Sequence, residues 1–362
     1  MNAAQTPGRP AVFVAQLHRA AAQRGKLDPV YQELSDHWTG ILQRLYPVWA
    51  LIGPGLSDPG HIEIHSRTVY LDADALLGTR EELIAGRLAR RSVLRCFGVA
   101  LHETFHAKHT KRWAIDHDIK LAESENPDER QLAVDRRLLE EPRMEAHGVR
   151  EHPAGTLRGR FVRQALQAAV TDVILPAFAH DLLATAMAGR PLTRDMAGRA
   201  AVYLHARTHY GILDPTVLDG LRHVWRQVLG DQDLDTLNEL FAKLIWIPDG
   251  ELEALDRAAR EYRAIIGAPD RPPSEDHDDA RSGDRSTGRS GDGPPAGSLG
   301  EALEQALEQA REGQLEQLDA DLDLQQVLTD AAVGRERGAP HGRGRGTGLP
   351  TGRMPDRGVD RP

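Results

Sequence analysis

The sequence predicts a mainly α-helical fold with a small β-hairpin, followed by a linker and an isolated helix. Three observations predict it. Ala, Leu and Arg are abundant and aromatic residues make up only 5% of the chain, a mix that favours helices over sheets. Apolar residues recur at spacings of three and four through most of residues 11–266, the period of a helix with one buried face. Strand-like alternation is confined to a short stretch around residues 61–71.

Taken in order, Met1–Pro10 reads as a frayed tail, and Ala11–Ala22 and Pro29–Leu45 carry helical spacing. Gly53-Pro54-Gly55 and Asp58-Pro59-Gly60 are strong breakers. After them His61–His65 and Thr68–Leu71 alternate, with Ser66-Arg67 between, which predicts a hairpin. Thr79 is followed three residues later by Glu82, a capping-box spacing that predicts a long helix running to about Trp113. A second helix is expected from Glu129 to about Val149. Helical patterns continue over Phe161–Met187, Asp195–Tyr210, Thr216–Leu229, Leu234–Leu244 and Glu251–Ile266. Residues 11–266 are therefore expected to form one body.

Composition shifts at Gly267. Residues 267–297 are Pro, Gly, Ser, Asp and Arg with almost no apolar side chains, the signature of a disordered linker. Ser298 and Glu301 offer another capping box, and Leu303, Leu307, Ala310, Leu315, Leu318 and Leu322 form a stripe. Residues 298–333 thus read as an acidic amphipathic helix, marginal unless it docks on something. Residues 334–362 are Gly/Pro/Arg-rich and read as a disordered tail.

A formal charge of −9 gives no global electrostatic case for nucleic acid. With Cys96 as the lone cysteine no intramolecular disulfide forms, which fits a reducing compartment. No stretch approaches the roughly 20 apolar residues that span a bilayer, and Ala11–Val14 is too short for a signal peptide. The expectation is a cytoplasmic protein with neither membrane nor nucleic acid as partner.

The chemistry centres on His102-Glu103-Thr104-Phe105-His106. Residues four apart share a helix face, so His102 and His106 can present their imidazoles to one zinc ion. Glu103 would point beside the ion as general base. Leu94, Phe97, Leu101 and Phe105 recur at helical spacing and would bury this helix, while Gly98 would let another element approach. The competing reading is a coincidental pair of helix histidines.

Catalytic zinc usually takes three protein ligands. The segment Leu138-Leu139-Glu140-Glu141-Pro142-Arg143-Met144-Glu145 is the best source of the third. Glu141 shares a face with Leu138 and Glu145, so Glu141 is the expected ligand and Glu145 a hydrogen-bond partner of a ligand histidine. Glu140 is the rival ligand, and Pro142 disturbs the local helix. His109 follows His106 by three residues, but the seven residues from His102 span about 10.5 Å of helix, too far to share an ion. It is expected behind the ligands or facing solvent. Tyr203, His205, His209 and Tyr210 cluster on one stretch, where one of Tyr203, His205 or His209 can steady an oxyanion. Asp116, His117 and Asp118 read as a solvated turn, and Trp225 and Trp246 as packing residues.

The pair His102-Glu103-x-x-His106 with the later Leu-Glu-Glu-x-Arg-x-Glu helix resembles the glutamate-ligand zincin metallopeptidases. More narrowly it is similar to bacterial metallopeptidase domains associated with von Willebrand factor A domains and MoxR-type ATPases. The resemblance covers roughly residues 60–150. It implies zinc on His102 and His106, Glu103 as base, and Glu141 or Glu140 completing the site. It implies a peptide or protein substrate, and an A-domain protein or MoxR-type ATPase as partner. Pro142 departs from the pattern, and the Asp-x-Ser-x-Ser motif of an A domain is absent from the chain. The leading expectation is zinc-dependent peptide-bond hydrolysis, with strand Thr68–Leu71 pairing with an extended peptide. The rival is a non-catalytic, metal-stabilised adaptor that docks the A-domain or ATPase partner, and a plain helical scaffold comes third.

Overall fold

One helix and then a small sheet open the described chain, and the sheet supplies one wall for the helices that follow. The computed structural model describes residues 27–267, apart from 57, 87, 177, 179–184 and 186–189. The expected tail 1–10, helix Ala11–Ala22, linker after Gly267, acidic helix 298–333 and tail 334–362 lie outside the described residues. So does most of 177–189 in the expected helix Phe161–Met187.

Helix α1 (Pro29–Leu42) starts at Asp28, whose side chain accepts from the Val30 N–H. Strands β1 (Trp49–Gly53), β2 (Gly60–Glu63) and β3 (Thr68–Asp72) follow, in the sheet order β1-β3-β2. The hairpin is as expected: β2 and β3 are antiparallel, with Ile62 opposite Val69. Arg67, at φ 52°, takes the left-handed position in its turn. Strand β1 was not expected. It runs parallel to β3, with Leu51 opposite Tyr70. Its apolar run Trp49–Ile52 fits a strand covered on both faces. The outer side of β1 is capped by α1: the Ala50 N–H donates to Thr39 Oγ1 and the Ile52 N–H to Ser35 Oγ, both at 2.9 Å. Strand β3 is therefore flanked on both sides, and cannot be the strand that takes a peptide.

After α2 (Ala73–Leu76), the capping box of Thr79 and Glu82 is present, but it opens only the short α3 (Arg80–Ile84). Gly86, at φ 65°, turns the chain into the left-handed region, and the helix restarts as α4 (Arg90–His109). The expected helix from Thr79 to Trp113 is thus two helices. It ends early because Thr110 is extended. Helix α5 (Arg112–Ala122) carries Asp116, His117 and Asp118, which are not a turn; Asp118 Oδ1 accepts from Arg136 Nε at 2.5 Å.

Helix α6 (Pro127–Arg150) is capped by Asn126 and continues unbroken past Pro142. Helix α7 (Leu157–Ala169) continues as a π-turn over Val170–Ile174. Helix α8 (Arg194–Ala200) becomes a π-turn over Ala201–His205 and then a 3-10 turn over Ala206–Tyr210, ended by left-handed Gly211. A 3-10 turn at Pro215–Leu218, then α9 (Asp219–Leu229), α10 (Asp231–Leu244) and α11 (Leu252–Ile266), complete the described chain.

Helix α4 is the central element, packed against α7, α6 and the sheet. Leu94, Phe97, Leu101 and Phe105 are all buried, each contributing about 1.5–3 kcal/mol of apolar burial. Gly98 sets the approach of α7: a Cβ there would lie 1.9 Å from the Ala165 carbonyl oxygen. Gly148 on α6 likewise leaves room for the Phe105 ring. Trp225 packs in the core as expected, whereas Trp246 is 66% exposed, because its ring lies under the Arg150 guanidinium instead. Burial pushes the Cys96 thiol well up. Among the described residues no helix is long and apolar enough to cross a membrane.

Candidate metal centre

Helices α4 and α6 bring three donors together. Glu141 Oε2 lies 3.1 Å from His102 Nε2 and 3.4 Å from His106 Nε2. One donor atom from each of the three residues falls within 4.8 Å of the others. The helical repeat puts His102 and His106 on one face, and their rings stand edge to face at 4.9 Å. Of the two glutamates weighed as ligand, Glu141 is the one that faces the histidines.

The remaining ring nitrogens are already engaged. His102 Nδ1 donates to Glu145 Oε1 at 2.7 Å, and His106 Nδ1 lies 3.1 Å from Thr110 Oγ1. Thr110 Oγ1 donates to Glu140 Oε1 at 2.7 Å, so its lone pairs are left for the His106 N–H. A neutral imidazole protonated at Nδ1 carries its lone pair on Nε2. In that neutral form both histidines would present an Nε2 lone pair on the side of Glu141, as a shared ion requires.

Behind these contacts sits a line of buried charge. Glu145 accepts from Arg207 Nη2 at 2.6 Å, from Arg207 Nε at 2.7 Å and from the Tyr210 hydroxyl at 3.0 Å. Glu140 accepts from Arg143 Nε and Nη2 at 2.5 and 2.7 Å. Glu140 thus supports His106 through Thr110, and Glu145 supports His102 directly. Sequence reasoning did not assign roles to Arg207 and Tyr210. Their signal was the spacing Tyr203, Arg207, Tyr210, one helical face, which reads equally well as a solvated stripe.

Burial opposes charge on His102, His106, Glu141 and Glu145, yet the charged forms win. For His102 the Glu141 and Glu145 carboxylates outweigh burial and hold its pKa well above the usual imidazole range. For His106 burial is outweighed chiefly by Glu141. Burial would raise Glu141, but His106 and His102 bring it well below the carboxylate range. Glu145 is likewise brought down to about 2 against burial, by Arg207 and then His102. The two imidazoles face more carboxylate than Arg207 alone neutralises, so the arrangement favours positive charge between them.

Glu103 is buried and lines a cleft of about 140 Å³ together with His102 and Glu145. Tyr203 lies on this side of the molecule: burial and then the Glu141 carboxylate raise its hydroxyl pKa. His205 and His209 do not. His205 packs against Trp225 and Phe241, with ring centroids 6.0 and 6.2 Å away, and His209 Nε2 pairs with Asn238 Oδ1 at 2.9 Å. The π-turn at Ala201–His205 turns them toward α9 and α10, so neither can serve as oxyanion stabiliser.

His109 is neither a partner of the ligands nor solvent-facing. It is 5% exposed and its Nδ1 donates to Asp249 Oδ2 at 3.0 Å. His147 lies beside it and donates from Nε2 to the Ile247 carbonyl at 2.9 Å. Lys111 Nζ and Arg143 Nη1 also contact Asp249, at 3.2 and 3.0 Å. This second histidine–aspartate group ties α4 and α6 to the loop before α11.

Comparison with known proteins found no matching family model, no matching curated protein and no matching solved structure.

Proposed function

We propose that this protein is a zinc-dependent peptidase, with His102, His106 and Glu141 as the metal ligands and Glu103 as the general base. The observation that carries the reading is the convergence of two Nε2 atoms and one carboxylate oxygen from crossing helices, with Glu103 lining the adjoining cleft. The donor set fits zinc: two imidazoles and a carboxylate, with open room beside them, is a common catalytic combination. Hydrogen bonds donated by both Nδ1 atoms, to Glu145 and Thr110, also fit, since ligand histidines are usually oriented in this way.

A zinc ion held there supplies Lewis acidity, polarising a carbonyl and acidifying water. The chain's own groups do the rest. As a water oxygen adds to the peptide carbonyl carbon, the Glu103 carboxylate takes its proton. The same carboxyl returns that proton to the amide nitrogen as the C–N bond breaks, which leaves one carboxylate product and one amine. Tyr203, whose raised pKa keeps its hydroxyl protonated, is the remaining donor for the carbonyl oxygen. Glu145 and Glu140 hold the histidine rings in place. The adaptor reading rests on residues 298–333, outside the described chain, and no described contact favours it.

The test is Glu103→Gln, compared with the unaltered protein on a diverse peptide library with zinc content measured in parallel. Gln keeps the shape of the side chain but cannot take the proton. We expect retained zinc and lost cleavage. Equal cleavage by both proteins would rule out Glu103 as base, and cleavage by neither would overturn the peptidase reading.

A further inference from the structure

The cleft beside Glu103 has a polar end and an apolar end. His102, Glu103 and Glu145 stand at the first. Val99 of α4, Leu166 of α7, and Val170, Val173 and Ile174 of the π-turn form the second. At about 140 Å³, the cleft is close to apolar cavities of roughly 150 Å³ that hold a benzene molecule. It has room for one side chain of leucine, methionine or phenylalanine size. The aliphatic end offers no partner to a charged group, and burying an unpaired charge is strongly unfavourable.

The second observation is the edge of the sheet. Strand β2 is the outer strand on the side away from β1. The Asp72 N–H donates to the Pro59 carbonyl at 3.0 Å. Antiparallel pairing alternates from there, so His61 exchanges bonds with Tyr70, while Gly60 and Ile62 turn their N–H and C=O groups outward. Among the described residues no strand covers that edge. Gly60 belongs to both features, because it also lines the cleft. A Cβ there would lie 2.3 Å from Val99 Cγ1, so only glycine lets the strand come this close to α4. An extended peptide added to β2 would send alternate side chains to one face of the sheet, the face on which the cleft opens.

We propose that the cleft is a side-chain pocket that selects an uncharged, apolar residue next to the scissile bond of an extended peptide, with Val173 as the specificity-determining residue. This rests on the peptidase reading above. Val173 is half-buried at the apolar end, on a π-turn whose wider winding often marks functional positions. A larger side chain at 173 fills the pocket, and a charged one makes it hostile to leucine.

The experiment uses the full chain loaded with zinc and two readouts. The first is the cleavage-site profile on a peptide library, for the unaltered protein, Val173→Phe and Val173→Asp. The second is peptide binding to Glu103→Gln, measured by fluorescence anisotropy with Leu, Ala, Asp or Lys at the central position. We expect Leu to be favoured over Asp and Lys by about tenfold or more in both readouts. Val173→Phe should move the preference to Ala, and Val173→Asp should remove the preference for Leu, with zinc content unchanged. A flat or charge-favouring profile, or a profile unmoved by Val173→Phe, overturns the pocket while cleavage itself stands. Leu-selective binding without any cleavage removes the peptidase reading and keeps the pocket. Neither cleavage nor selectivity overturns both.

Discussion

Arg207 Nη2 donates to Glu145 Oε1 at 2.6 Å, and both side chains are buried although the residues are 62 positions apart in the chain. Glu145 in turn accepts from His102 Nδ1. The orientation of one candidate ligand therefore depends on a guanidinium from a distant 3-10 turn.

Removing Arg207 strands a buried carboxylate. Breaking one side of a buried ion pair typically costs about 3–5 kcal/mol. Arg207→Ala should lower stability by that order, read from denaturant midpoints. Replacing both partners together, as Glu145→Leu with Arg207→Met, should recover part of the loss. An unchanged midpoint for Arg207→Ala would show that the pair contributes nothing.

The metal reading predicts about one zinc per chain. Glu141→Gln should weaken zinc retention more than Glu140→Gln, because Glu141 faces both Nε2 atoms whereas Glu140 pairs with Arg143 and Thr110. Glu145→Gln, acting only through His102, should weaken zinc affinity by about 10–100-fold. Elemental analysis of the dialysed variants checks all three. A larger loss for Glu140→Gln would contradict the assignment of Glu141.

His205 predicts a component of acid sensitivity. Burial, and then the nearby Arg222 and His209 charges, depress its pKa to about 4. In the unfolded chain the same imidazole titrates near its ordinary value of 6.5. As pH falls, the unfolded state takes up the proton first. The stability tied to neutral His205 is therefore complete above about pH 6.5 and is lost as pH drops toward 4, up to about 3 kcal/mol in all. His205→Phe should flatten that part of the slope when urea midpoints at pH 7.5 and pH 4.5 are compared. An identical slope in the variant would exclude this cause.

Gly98 predicts a steric limit. The added methyl of Gly98→Ala would meet the Ala165 carbonyl, which is backbone and cannot swing aside. Helices α4 and α7 must separate, at a cost of about 1–3 kcal/mol or more. The melting temperature should fall accordingly. No fall would mean that α7 sits farther from α4 than described.

Much of this protein is local, and the sequence alone determined that part. Helical spacing placed the observed starts of α8 and α11 within one residue, α6 within two and α10 within three, because burying one face requires a period the eye can count. The same period put His102 and His106 on one face. The hairpin was legible from its alternation and from the turn at Ser66-Arg67. What only the tertiary structure decided involves contacts between segments. Strand β1 pairs with β3 from 19 positions away, so no local pattern announced it or moved the free edge to β2. Glu140 and Glu141 differ by one step around α6, and only the crossing of α4 and α6 tells which faces the histidines. Gly86 split a helix that its capping box promised to continue. The π-turn before Ala206 rotated His205 and His209 away from the centre and left Tyr203, Arg207 and Tyr210 facing it. An inserted residue in a helical turn shifts every later side chain around the axis, and nothing in the local spacing records that it has happened.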